Sequence, residues 1–109
     1  MFKVNPDRTF KRSVTVFYPT DNPNKHDSGV FVAVFKQLDE DRIEQLQEEG
    51  NSRFIDEILV GAEKVGDAEG NQIPSDQAVE LIKQDSCSAA ATIAEYIECT
   101  VKRNTKRKN

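Results

Sequence analysis

Gly29-Val30-Phe31-Val32-Ala33-Val34-Phe35 decides the fold, because a run so dense in β-branched and aromatic residues can only be an extended strand. Side chains alternate along it. Phe31, Ala33 and Phe35 make one face, and Val30, Val32 and Val34 make the other. Both faces are apolar, so helices packed on one side leave the other without a cover. Upstream, residues 9–18 show the same period of two: Phe10, Val14, Val16 and Tyr18 point one way, and Lys11, Ser13, Thr15 and Phe17 the other. Pro19 ends that strand, and the polar mixture of residues 20–28 reads as a mobile loop. The two strands therefore pair antiparallel as a hairpin.

Downstream the period changes to that of helices. Asp39 caps a helix over residues 40–49, with Ile43 and Leu46 as its narrow apolar stripe and Gly50 as its stop. Asn51 or Ser52 caps a second helix in which Phe54, Ile55, Ile58 and Leu59 share a face, ending near Gly61. Residues 61–74 carry Val65 and Ile73 around a Gly-containing reverse turn, a minor hairpin. Ser75 caps a third helix with Ala78, Val79, Leu81 and Ile82. A fourth runs from Cys87 to Lys102, with Ala90, Ile93, Ala94, Ile97 and Val101 at helical spacing. The reading is an α+β domain: an N-terminal antiparallel hairpin or small sheet followed by about four helices, one domain over residues 1–101 with a basic tail over 102–109.

At 109 residues the chain has room for one core. Its hydrophobic content of 37% and charged content of 31% leave little material for a deep substrate cleft as well. Lys102, Arg103, Lys106, Arg107 and Lys108 give the tail five bases and no acid. All 19 acids lie in residues 1–101 with the other ten bases, so the body carries about −9 against −4 for the whole chain. That body opposes nucleic acid and anionic membrane, whereas the tail offers a polyanion contact. Cys87 and Cys99 fall about 18 Å apart along one helix, too far for a disulfide, which fits a reducing cytoplasm. No apolar leader or membrane-length run is read.

Catalytic groups are hard to assemble from this chain. His26, the only histidine, sits in the polar loop, where a general base would lack fixed geometry. Asp67-Ala68-Glu69-Gly70-Asn71 alternates oxygens as a calcium loop does. Gln72 and Ala78, however, stand where such a loop needs Gly and Glu. The acids Asp39, Glu40, Asp41, Glu44, Glu48 and Glu49 read as a solvated helix face, and the cysteines as small buried hydrophobes. The expectation is no enzyme, no cofactor and no metal. What remains is surface: Phe17, Val30, Val32 and Val34 on the strands, with Phe54, Ile55, Ile58 and Leu59 on the second helix, serve contact with a client or self-association.

Several segments, taken in order, resemble the tail assembly chaperones of long-tailed bacteriophages and prophages, in their short form. They are Phe2-Lys3-Val4-Asn5-Pro6-Asp7-Arg8-Thr9-Phe10, then Gly29 to Phe35 leading into a polar helix, then residues 54–60 and Gly61. Val65-Gly66-Asp67-Ala68-Glu69-Gly70-Asn71-Gln72-Ile73-Pro74, the Ala-rich closing helix and the lysine-rich end complete the pattern. The family pattern has an aromatic after Gly61, where this chain has Ala62. The resemblance implies a protein that binds the tape measure protein, helps recruit tail tube subunits in the bacterial host cytoplasm, and is absent from the mature virion. It also implies a longer form made by ribosomal frameshifting. Competing readings are a structural head–tail or tail terminator subunit, and a small nucleic-acid-binding regulator that uses the basic tail.

Overall fold

The Val30–Phe35 run sits in the middle strand of a three-stranded antiparallel sheet. The computed structural model describes residues 8–67 and 69–102. Strands β1 (Thr9–Pro19) and β2 (His26–Lys36) pair over their full length, from Thr9 opposite Lys36 to Pro19 opposite His26. β3 (Leu59–Glu63) pairs with the other edge of β2, giving the order β1-β2-β3. The helices are α1 (Glu40–Glu49), α2 (Asn51–Ile58), α3 (Ser75–Gln84) and α4 (Ser86–Ile97), and a π-helical turn over Glu98–Lys102 extends the last. The α+β class and the hairpin with four helices stand as read from the sequence.

Three local readings change. β3 was hidden inside the second helical pattern: the helix stops at Ile58, and Leu59 begins a strand that a register shift at Val34/Phe35 fits onto β2. The polar loop is shorter than its composition suggests, because His26, Asp27 and Ser28 continue β2 opposite Pro19, Tyr18 and Phe17. What is left is a hydrogen-bonded turn. The Thr20 hydroxyl donates to the carbonyls of Asn22 and Lys25, and Asn22 Oδ1 accepts from the Asn24 amide. Ser75 is the first residue of α3 rather than its cap, and its hydroxyl instead accepts the Ala62 amide of β3 at 2.9 Å.

The core lies between the helices and one face of the sheet. Val14, Val16, Phe31, Ala33, Phe35, Leu59 and Ala62 come from the strands; Ile43, Leu46, Phe54, Ile55, Ile58, Ala78, Val79, Ile82, Ile93 and Tyr96 come from the helices. Tyr96 is its hub. The ring lies 5.1 Å from Phe35, 5.9 Å from Phe54 and 6.1 Å from Phe10 between centroids. Its hydroxyl donates to the Lys36 carbonyl and accepts the Leu38 amide, so a polar tip is satisfied inside an apolar layer. α4 buries Ser88, Thr92, Ile93 and Tyr96, while Ala90 and Ala94 face outward, against the expected alanine stripe. Serine and threonine fit there because each hydroxyl bonds a backbone carbonyl of its own region: Ser88 to Ile82, and Thr92 to Ser88. Leu81, read as part of the α3 core face, is 51% exposed. The minor hairpin after β3 is present: Gly66 bridges Gln72, and Asp67 Oδ1 accepts the amides of Glu69 and Asn71.

The candidate protein-binding face

The sheet has a second face, opposite the one that carries the core. Antiparallel partners point to the same side, so the register gives its members directly. Lys11 stands opposite Val34, Ser13 opposite Val32, Thr15 opposite Val30 and Phe17 opposite Ser28. On the other flank Val32 faces Glu63 and Val34 faces Gly61. Phe17 is 62% exposed and Val30 59%, while Val32 and Val34 are half-buried. The apolar material is thus a stripe one strand wide along β2, ending in Phe17 and framed by polar side chains.

The structure divides the residues singled out from the sequence. Phe17, Val30, Val32 and Val34 come together on this open face. Phe54, Ile55, Ile58 and Leu59 do not join them, since each is at most 2% exposed in the core. The apolar face of α2 is buried in the core, which corrects the reading of it as contact surface. Arg103, Lys106, Arg107 and Lys108 lie outside the described residues, as does the lead-in before Arg8. Lys102 closes the π-helical turn.

Lys11 and Glu63 form an ion pair of 2.9 Å across the open face, with side chains 61% and 44% exposed. Being on β1 and β3, they meet only by reaching over β2. So exposed a pair contributes at most about 1 kcal/mol. Gly61 lets the β3 edge close: a Cβ there would stand 3.1 Å from Ser75 Oγ and 3.2 Å from Val34 Cβ.

Two polar ties hold the hairpin to the helical layer. Arg12 points inward and donates from Nε and Nη2 to Glu95 Oε2 at 3.1 and 3.0 Å. The Tyr18 hydroxyl donates to Asp85 Oδ2 at 2.6 Å, and the same carboxylate accepts the Ser88 hydroxyl and amide at the start of α4. Tyr18 is thereby pushed above its ordinary value, first by that bond and then by burial. Asp85 is held below its own, by Tyr18 and then Ser88.

Elsewhere the charged groups are occupied with one another. A shallow depression lined by Lys36, Arg42, Arg53, Asp56, Glu57 and Val60 holds Arg42 bound to Glu57 and Glu49, with Arg53 on Glu49 and Asp56 on Lys83. Among the described residues every buried side-chain nitrogen or oxygen has a hydrogen-bond partner, and no group of three His, Cys, Asp or Glu is placed to hold a metal. His26 is exposed on β2, and Cys87 and Cys99 are half-buried free thiols. No described helix is long and apolar enough to cross a membrane. Compared with protein-family models, curated proteins and solved structures, the chain matches none.

Proposed function

We propose that this chain is a non-enzymatic protein-binding module whose working surface is the open face of its sheet. More particularly, it is a tail assembly chaperone of a long-tailed bacteriophage or prophage, acting in the host cytoplasm on the tape measure protein. The observation that carries the binding reading is the exposed run of Phe17 and Val30 continuing into Val32 and Val34. Contiguous apolar surface of this kind marks a contact site when its own fold leaves it open. The sequence resemblance supports the family and, through it, the client. In this mechanism the valine stripe shields apolar segments of the tape measure protein before the tail tube encloses them. The acidic body keeps the complex soluble, and tail tube subunits are recruited to it.

Co-expression with the long coding sequence of the tape measure protein tests the reading. The expected result is that the tape measure protein is soluble only when this chain is present. A client that aggregates equally with and without it contradicts the proposal. Finding the chain as a stoichiometric part of purified virions would favour the structural-subunit reading instead.

A further inference from the structure

We infer that two copies of this chain pair along the free edge of β1, antiparallel and in full-length register, so that their sheets run on as one six-stranded sheet. The inference goes beyond the client-binding reading and stands or falls without it.

The ladder fixes which backbone groups are open. The Gln37 amide donates to the Arg8 carbonyl at 2.9 Å, one step beyond Thr9 opposite Lys36. Hydrogen-bonded and non-hydrogen-bonded pairs alternate in an antiparallel ladder, so Phe10, Arg12, Val14, Val16 and Tyr18 turn their N–H and C=O toward β2. Thr9, Lys11, Ser13, Thr15 and Phe17 turn theirs away from it. Among the described residues none of these outward groups has a hydrogen-bond partner. The same parity carried across β2 turns the Ala62 amide outward from β3, where it meets the Ser75 hydroxyl.

The two edges of the sheet are built differently. β3 has five residues, a register shift at Val34/Phe35, Ser75 on its outward amide and a φ of 62° at Lys64 just after it, all of which stop pairing. β1 has 11 residues in unbroken register with β2, and its one proline, Pro19, comes last. Its charges leave the edge open. Arg12 is an inward charge of the kind that guards an edge, but Glu95 already neutralises it, and Glu63 holds Lys11. β1 has no acid, so the edge is a locally neutral strip on a body that carries about −9. Two acidic copies can approach along it.

A row of backbone donors and acceptors takes another extended strand, and β1 is its own complement. With a twofold axis at Val14, residues 9–19 of one copy lie against 19–9 of the other. Lys11 then stands beside Phe17 of the second copy and Ser13 beside Thr15, and no two like charges are opposite. About ten backbone hydrogen bonds form, as many as a full-sized interface carries. The edge is about 37 Å long and about 10 Å deep, roughly 370 Å² a side, the scale of a transient dimer rather than an obligate one. Both open faces end on the same side of the joined sheet, with their valine stripes about 14 Å apart.

The test uses the full chain without any client. Sedimentation equilibrium from about 1 to about 500 μM should show reversible monomer–dimer exchange. Amide hydrogen exchange, read residue by residue, should follow parity. Arg12, Val14 and Val16 are protected at every concentration, whereas Lys11, Ser13, Thr15 and Phe17 exchange fast when dilute and at least about tenfold more slowly when concentrated. Ser13→Pro removes only an outward N–H, which an edge strand tolerates, so it should weaken dimerisation about tenfold or more while circular dichroism stays that of the wild type. If that variant does not fold, the parity in the wild type decides alone. Val30→Lys, on β2, should leave the dimer intact. A chain that is monomeric throughout, a dimer whose four outward amides stay fast, or a dimer lost in Val30→Lys overturns the inference. A dimer with the expected parity beside a failed rescue of the tape measure protein supports the inference and removes only the client reading.

Discussion

Tyr18 and Asp85 are 67 residues apart in the chain, and a 2.6 Å hydrogen bond between them ties the outer end of the hairpin to the first turn of α4. Asp85 also caps that helix through the Ser88 amide. One carboxylate thus both caps the helix and bonds the hairpin to it.

The bond has a pH signature. Asp85 titrates below its ordinary 3.8 in the folded protein, chiefly through Tyr18 and then Ser88. Its contribution to stability is therefore present above pH 3.8 and is lost as pH falls through the lower, folded value. Asp85→Asn keeps a good cap but no titrating group, so its melting temperature should fall less steeply than wild type as pH drops below 3.8. Asp85→Ala loses the cap as well, at about 1 kcal/mol even at neutral pH. Parallel slopes for Asp85→Asn and wild type would contradict this role.

Tyr96 anchors the turn between β2 and α1 from inside the core. Tyr96→Phe keeps the ring contacts but strands the Leu38 amide and the Lys36 carbonyl. The expected loss is about 1–3 kcal/mol, read by urea unfolding with an unchanged slope. A variant as stable as wild type would mean that water replaces the hydroxyl.

Gly61 is the close-approach point of β3 and α3. Alanine there would press on Ser75 Oγ, which is engaged with the Ala62 amide, and on Val34 Cβ, which is fixed to its backbone. Gly61→Ala should cost about 1–3 kcal/mol, as overpacking does. At about 4–8 °C per kcal/mol for a domain near this size, a thermal melt resolves it.

The period-two pattern of β1 and β2 was enough to assign both faces of the hairpin, because each residue's side follows from its parity alone. Helix faces were less legible. Ser88 and Thr92 read as polar, and their burial is explained by the three-dimensional position of their acceptors: the Asp85 carboxylate and Ile82 carbonyl for Ser88, and the Ser88 carbonyl for Thr92. Leu59 continues the i, i+4 pattern from Ile55, so nothing local marks the switch to β3; the free edge of β2 decides it. For the same reason Phe54, Ile55, Ile58 and Leu59 could be recognised as apolar but not as part of the core. Arg12 occupies an inward position that composition alone would assign to an apolar residue, and Glu95, 83 residues away, is what makes it tolerable.

Core and contact residues should respond in opposite ways. Phe54→Ala, at 1% exposure, should cost about 3–5 kcal/mol and reduce the amount of folded protein. Val30→Lys, at a 59% exposed site in mid-strand, should leave the melting temperature within a few degrees of wild type.

The most direct test is therefore pull-down of co-expressed tape measure protein by wild type and by a Phe17→Ser/Val30→Lys double variant, each first shown to be folded by its melting curve. The account predicts that the folded double variant recovers little or none of the client that wild type carries. Equal recovery by the two would place the contact elsewhere and contradict it.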